Sequence, residues 1–244
     1  YVLERLRLHV NNLDMADWDA MLGDLIHPAN GEVTVAVVGK YIEMRDAYKS
    51  IYEALTHGGI AHSVRVAVRR IESEALEGGR AAALLDGVQG VLVPGGFGAR
   101  GVAGKIEAVR HAREHGIPFF GICLGMQCAV MEFARHVCGL EGADSTEFDE
   151  RTPHPVIDLM AEQKKTADKG GTMRLGGKPC LLLEGSLAAR VYGAREIVER
   201  HRHRYEFNNA YREAFQKAGM ALCGLSPDGS LVEMVELPAH PWFV

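Results

Sequence analysis

Short apolar runs that end in glycine alternate with helical spacing in the first part of the chain. VTVAVVG (33–39) and GVLVPGG (90–96) are buried-strand patterns, and a basic amphipathic helix pattern covers 104–116. The apolar run at 117–122 leads into helical spacing that begins after Cys123. This alternation predicts an α/β fold with three layers, doubly wound, in which helices cover both faces of a mostly parallel sheet. Functional residues of such sheets gather where the strands end.

The pattern changes beyond residue 140. Residues 168–185 resemble a hairpin, 204–219 resemble a strand that passes into a helix, and 231–237 alternate like a strand. We find no internal repeat and predict no domain boundary after residue 31. The chain starts without methionine, and residues 18–32 read as a short helix and a loop, so the opening is interpreted as the end of something longer.

Composition and charge argue against several classes of protein. A net charge of −5 provides no electrostatic reason to expect nucleic acid as a partner. No apolar run approaches the roughly 20 residues of a membrane helix, and the first residues lack the order of a signal peptide. The five cysteines have no zinc-site spacing, which predicts reduced thiols and no metal. A cytoplasmic protein without a membrane partner is predicted.

The pentapeptide from Gly121 to Gly125 places Cys123 between two glycines. This is the form of a nucleophile elbow, a sharp turn between a strand and a helix that needs small neighbours around a strained residue. The amino end of a helix favours a thiolate, so the pattern predicts a lowered pKa for Cys123. The alternative is that Cys123 is a small buried apolar residue, which is the interpretation we prefer for Cys128, Cys138, Cys180 and Cys223.

A second glycine turn, Pro94-Gly95-Gly96-Phe97-Gly98, follows its own buried strand and is expected at the same edge of the sheet. Glycines let the main chain approach a ligand closely, so the N–H groups of Gly96 and Leu124 could together hold an oxyanion. The turn has no GxGxxG pattern, and GxxxxGK[ST] is absent from the chain. ATP binding through a P-loop is therefore not expected.

The run from Glu199 to Glu206 concentrates arginine and histidine. Its simplest interpretation is a solvated charged strand. Alternatively, one arginine holds the carboxylate of an amino acid while Glu147 in STEF pairs with the α-ammonium group. Two histidines at i, i+2 could face one metal, but we reject a metal site here.

Taken in order, PGGFGARG, GICLGMQ, STEF, GGTMRLG and ERHRHRYE resemble the glutamine amidotransferase domain of CTP synthases over residues 31–244. VVGKY followed by DAYKSIYEAL supports this narrower resemblance within the class I glutamine amidotransferases. Residues 1–30 resemble the linker between the two domains of those enzymes. The resemblance implies a flavodoxin-like fold and hydrolysis of L-glutamine to glutamate and ammonia, with no cofactor in this domain.

The resemblance also implies roles for individual residues. Cys123 would be the nucleophile that forms a γ-glutamyl thioester, and Gly96 and Leu124 would form the oxyanion hole. Arg204 would bind the α-carboxylate of glutamine and Glu147 its α-amino group. The further substrate-binding residues would be Gly95, Phe97 and Gln127.

The family implies partners beyond this domain. A synthase domain of the same enzyme would use the ammonia to convert UTP to CTP with ATP and Mg²⁺. Arg100 matches a loop associated with activation by GTP, although Ala103 stands where relatives commonly have glutamate. The full enzyme would be a homotetramer formed mainly through the synthase domain, and the fragment a monomer or weak dimer.

The family's histidine base and its glutamate follow the strand that starts near the last residues of this sequence, and the chain has no such pair. His240 precedes that strand and is interpreted as structural or loop-exposed. We therefore expect impaired turnover. Two other hypotheses remain, a glutamine-binding or regulatory module without turnover and another cysteine hydrolase.

Overall fold

The computed structural model describes residues 2–8, 14–159 and 173–244. These residues divide between two compact units, one drawn from 1–33 and 49–67 and the other from 34–48 and 68–244. The predicted segments 1–30 and 31–244 do not coincide with this division and stay a prediction.

The described residues of the first unit form helices α1 (Val2–Arg5), α2 (Ala16–Ile26) and α3 (Lys49–Ala61). Helices α2 and α3 contact each other. Near the end of α3 the helix passes close to the following chain, because a Cβ atom on Gly59 would lie 2.5 Å from the carbonyl oxygen of Val64.

A sheet with parallel pairing has most of its residues in the second unit. Its strands are β1 (Glu32–Gly39), β2 (Arg65–Glu72), β3 (Gly90–Val93) and β4 (Phe119–Gly121), in the order β2-β1-β3-β4. Strand β3 pairs in parallel with β1 and with β4. Phe243, near the last residue of the sequence, forms a parallel bridge with Phe119. The predicted α/β fold with a parallel sheet is confirmed, and buried valines line β1 and β3.

Helices connect and cover the strands. They are α4 (Ala81–Leu84), α5 (Val102–His115) and α6 (Leu124–His136), and both α5 and α6 contact β3 and β4. Each of the long helices α5 and α6 begins directly after a glycine-rich turn. The amino ends of these two helices therefore lie near the ends of strands β3 and β4, where the sequence predicts the site.

The second half of the chain forms two further sheets. One has the order β5-β6-β9, and the other, β11-β10-β7-β8, is antiparallel in its described pairings. The elements are β5 (Asp144–Ser145), β6 (Pro155–Leu159), β7 (Arg174–Leu182), α7 (Leu187–Tyr192), β8 (Glu196–His203), β9 (Tyr205–Phe207), α8 (Arg212–Lys217), β10 (Ala221–Leu225) and β11 (Val232–Glu236). Short 3₁₀ turns cover Arg45–Tyr48, Ser73–Leu76 and Asn209–Tyr211.

The hairpin predicted for 168–185 is wrong in its described part. Residues 168–172 lie outside the described residues, and the rest contributes the single strand β7, which pairs along its length with β8. The cause is a long-range pairing that local turn residues cannot reveal. The strands and helix predicted at 204–219 and 231–237 are confirmed as β9, α8 and β11. Among the described residues, no helix combines the length and apolarity needed to cross a membrane.

Candidate active site

Cys123 occupies a strained turn between β4 and α6. Its φ of 56° and ψ of −108° fall where residues with a side chain are seldom found. A Cβ atom on Gly121 would lie 2.7 Å from the carbonyl carbon of Gly125, and one on Gly125 would lie 2.0 Å from the carbonyl oxygen of Val93. Both glycines are therefore required by close backbone contacts, and the predicted elbow geometry is present.

Two backbone amides converge on the Cys123 sulfur. The N–H of Leu124, at the start of α6, and the N–H of Gly96, in the turn after β3, both act on this thiol to lower its pKa. Gly95 lies directly behind the thiol, since a Cβ atom there would be 3.8 Å from Sγ. The two turns that the sequence places at one edge of the sheet thus meet around a single sulfur atom.

The predicted lowering of the Cys123 pKa is wrong. Burial raises the pKa of this thiol above its ordinary value, and the charge of Glu147 adds to the rise. The two amides and the charge of Lys105 act in the opposite direction but do not compensate. Desolvation of a partly exposed thiol therefore outweighs the opposing effects of the two amides and of Lys105.

The sulfur lines a small cleft. The residues around this cleft are Gly96, Phe97, Cys123, Gln127, Glu147, Met173, His203, Arg204 and Tyr205. Met173, His203 and Tyr205 were not predicted as site residues, although all three lie within motifs that carry the family resemblance. His203 and Tyr205 could have been inferred, because they flank Arg204 in sequence. The cleft lies where β8 ends and β9 begins.

Secondary structure fixes the polar groups of the cleft. Gln127, in the first turn of α6, donates from Nε2 to the Tyr205 carbonyl at 3.1 Å. Glu147 follows β5, and its Oε1 accepts from the N–H of Gly98 at 3.1 Å. Arg204 stands between β8 and β9 on the same cleft. A cation, a carboxylate and a thiol with two amide donors therefore surround one opening.

Arg100 does not line this cleft. Its guanidinium pairs with Glu74 at 2.7 Å and donates to the Lys40 carbonyl. It also lies 5.8 Å from the centroid of the Tyr41 ring.

Sequence reasoning missed two buried lysines beneath the glycine turn. Lys40 is 3% exposed and its ammonium donates to the carbonyls of Phe97 and Gly98. Its position just after β1, at the carboxyl edge of the sheet, was a usable signal. Lys105 is 0% exposed and donates to the Pro94 carbonyl at 3.1 Å. It looked like an exposed residue of a basic helix, so no local pattern indicated its burial.

A larger cavity of about 380 Å³ adjoins Cys123 on the side of β8 and β11. In its wall, His201 Nδ1 contacts His203 Nε2 at 2.7 Å. Glu206 and Glu233 also line the cavity, and they pair with Arg174 at 3.2 and 2.7 Å. The interpretation of 199–206 as a solvated strand is therefore wrong for the histidines and Glu206, which β-alternation turns inward. It holds for Arg200 and Arg202, which are exposed. Among the described residues, no three His, Cys, Asp or Glu side chains are grouped to hold a metal ion.

Neither His203 nor His240 is positioned as a base for Cys123. His203 lines the cleft, but its Nε2 faces His201 and its Nδ1 faces the Tyr205 carbonyl at 3.3 Å. Burial lowers the His203 pKa to about 4, so the ring is neutral at pH 7. His240 accepts from the N–H of Trp242 and faces the Ala112 carbonyl at 3.2 Å, as expected for a structural residue.

Comparisons with known proteins agree with this geometry. The family described as glutamine amidotransferase class-I matches residues 43–244. The CTP synthase of Desulfitobacterium hafniense is 56% identical over 243 residues, which are 100% of this chain and 46% of that protein. The CTP synthase of Moorella thermoacetica is 58% identical over 100% of this chain and 45% of that protein. The chain thus spans about half the length of these relatives.

A solved structure is similar over most of its own length. The glutaminase domain of the Trypanosoma brucei CTP synthase with bound acivicin superposes with a TM-score of 0.80 at 41% identity. The match covers 86% of this chain and 83% of that one.

Proposed function

The chain belongs to the class I glutamine amidotransferases, in the branch of CTP synthase glutaminase domains, and we propose that Cys123 hydrolyses L-glutamine to glutamate and ammonia. The observation that carries this proposal is a cleft lined by Cys123, Arg204 and Glu147, in which the amides of Gly96 and Leu124 favour the thiolate.

The chemistry follows from that placement. The Cys123 sulfur attacks the side-chain carboxamide carbon, and the two amides stabilise the oxyanion that forms. The C–N bond breaks, and the nitrogen leaves as ammonia with the proton that the thiol has lost. Water then attacks the γ-glutamyl thioester, which releases glutamate and restores the thiol.

Opposite charges in the cleft suit the zwitterionic end of glutamine. Arg204 would bind the α-carboxylate with its planar fork, and Glu147 would bind the α-ammonium group. Gln127, Gly95 and Phe97 would border the substrate. Acivicin, a glutamine analogue, is bound in the related trypanosomal domain, which supports a substrate of this class.

In the whole protein, ammonia would pass to a synthase domain that aminates UTP with ATP and Mg²⁺, in the cytoplasm and within a homotetramer. The relatives named CTP synthase support a synthase domain as partner. GTP would act as activator near Arg100, which lies outside the cleft but contacts Lys40 beside the glycine turn.

The raised pKa of Cys123 favours a second candidate, a module that binds glutamine without turning it over. Few molecules of a weakly acidic thiol are ionised at neutral pH, so nucleophilic attack would need further activation.

Glutamate release by the full-length protein tests both candidates. Cys123→Ala should abolish turnover, and Arg204→Gln should raise KM for glutamine about tenfold to a hundredfold because a charge-assisted hydrogen bond is lost. Arg195→Gln is the matched control, since Arg195 forms an exposed pair with Glu184. Turnover that persists in Cys123→Ala would overturn the proposal, and glutamine binding without glutamate release would support the second candidate.

A further inference from the structure

Lys105 is a buried cation behind the glycine turn. It lies in the first turn of α5, has no exposed surface, and is among the largest fully buried side chains of the described residues. Neighbouring helix residues that face the same way are apolar, such as Ile106, Ala108 and Val109. A long apolar side chain would therefore suit this position as a matter of packing.

The surroundings of its ammonium group are unusual. Nζ donates to the Pro94 carbonyl at 3.1 Å and would lie 3.7 Å from a Cβ atom on Gly96, so it sits against the turn that holds one of the amides. The charges and thiols that act on it are Cys128, Lys40 and Cys123. Within residues 2–8, 14–159 and 173–244, no carboxylate forms an ion pair with Lys105.

A buried ammonium group without a carboxylate is costly, because one carbonyl replaces little of its hydration. An apolar side chain of similar length would avoid that cost. Negative charge that forms nearby would offset it, and Cys123 is the site in this neighbourhood where the proposed reaction generates such charge.

We propose that Lys105 is a positioning residue that stabilises negative charge on the Cys123 sulfur, and on the oxyanion facing the Gly96 amide, from behind the turn formed by residues 94–98. The inference deepens the proposed function and rests on it for the oxyanion. Its effect on the thiolate can be measured without glutamine.

Other groups near Cys123 also influence the ionisation of its thiol. Glu147 disfavours the thiolate, whereas the amides of Leu124 and Gly96 favour it. Cys128 stays neutral because burial raises its pKa to about 12. The ammonium of Lys40 and the side chains of His203 and Arg204 face the same region and are unchanged in the variants below.

The test is the pH dependence of Cys123 alkylation by iodoacetamide in the full-length protein, followed by mass spectrometry of the peptide that contains Cys123. Lys105→Met should move the midpoint up by about one pH unit and slow alkylation at neutral pH about tenfold, since one unit changes the thiolate fraction tenfold. Lys105→Arg keeps the charge and should retain most of the wild-type profile. Lys217→Met, which removes an exposed lysine paired with Glu213, should match wild type.

An unchanged midpoint in a folded Lys105→Met protein overturns the proposal, as do equal shifts in the Met and Arg variants, because a packing defect would not distinguish charge. If Lys105→Met does not fold, the reciprocal measurement decides. The Lys105 pKa, followed by the ¹⁵Nζ resonance, should be lower in Cys123→Ala than in wild type with its thiol ionised, and equal values overturn the proposal.

The two proposals fail in different ways. Glutamate release that survives Cys123→Ala removes the proposed function but leaves the alkylation profile to report on Lys105. Loss of glutamate release in Lys105→Met with an unchanged alkylation midpoint removes the inference on Lys105 alone.

Discussion

At the scale of single residues, the backbone around Cys123 has no room for side chains at its glycines. Gly125 packs on strand β3, where an added Cβ atom would come within 2.0 Å of the Val93 carbonyl oxygen. That neighbour is backbone at the centre of the sheet, so it cannot move aside as a flexible side chain would.

Gly125→Ala should therefore distort the elbow and destabilise the protein by about 1–3 kcal/mol, the usual cost of overpacking. Glutamate release should fall with it, because the Leu124 amide turns away from the sulfur. Urea unfolding and the activity assay measure the two effects.

Gly58→Ala provides the matched control. Gly58 lies in helix α3, and nothing stands within 4 Å of an added Cβ atom. Alanine is the better helix former, so this variant should gain about 0.5–1 kcal/mol and keep full activity. A stable, active Gly125→Ala protein would contradict the steric account.

At the scale of secondary-structure elements, a buried ion pair joins α5 to α6. Arg113 donates to both carboxylate oxygens of Glu132 at 2.9 and 2.7 Å, and the Glu132 side chain has no exposed surface. His136 approaches the same carboxylate at 3.2 Å. These two helices carry the amide of Leu124 and the ammonium group of Lys105, so their packing positions the site.

Arg113→Met should destabilise the protein by about 3–5 kcal/mol, because it leaves the carboxylate buried with only a histidine for partner. Arg113→Met combined with Glu132→Met should recover much of this loss, since no uncompensated charge remains. Thermal unfolding at neutral pH measures both.

Arg110→Ala is the comparison for a surface pair. Arg110 and Glu114 lie on the same helix with side chains 43% and 40% exposed. Solvent screens such a pair, so its loss should change stability by less than about 1 kcal/mol. A double Met variant no more stable than Arg113→Met would contradict the account of the buried pair.

At the scale of the whole molecule, one arginine connects two sheets. Arg174 in β7 contacts Glu206 in β9 and Glu233 in β11, and both carboxylates are almost fully buried. The single positive charge of Arg174 is shared between these two carboxylates. Burial raises the Glu206 pKa to about 7, against the attraction of Arg174.

This shift gives stability a pH dependence of known sign. The folded state holds the Glu206 proton up to about pH 7, whereas the unfolded chain releases it near the ordinary carboxyl value of about 4.3. The stabilisation that the Glu206 proton provides is fully present below about pH 4.3 and is lost as the pH rises through about 7.

Glu206→Gln should therefore gain stability relative to wild type as pH rises from about 4.3 to 7, by up to about 1.4 kcal/mol per pH unit. Urea unfolding across this range measures the difference. The lowered pKa of His203 contributes the opposite trend in both proteins. Its Nδ1 lies 3.4 Å from Glu206 Oε1, so the difference reports on the Glu206 carboxyl together with this contact. Glu184→Gln, at an exposed site, should follow wild type, and parallel curves for Glu206→Gln would contradict the assignment.

Much of the site could be predicted from the sequence, because its geometry is local. The glycine spacing around Cys123 requires an elbow, and the apolar periods on either side require a strand and a helix whose ends meet there. The turn after β3 follows from the same parallel-sheet rule, so the residue pattern alone predicts that Gly96, Leu124 and Cys123 can come together.

Which charges are buried depends on contacts between elements that are distant in sequence. The Lys105 ammonium meets a carbonyl at the end of β3, and Arg174 meets Glu233 from 59 positions away. The periodic pattern of a helix or a strand specifies which way a side chain faces, but not what packs over it. Desolvation depends on that covering, so the raised pKa of Cys123 and the inward histidines of β8 emerge only when all the elements are in place.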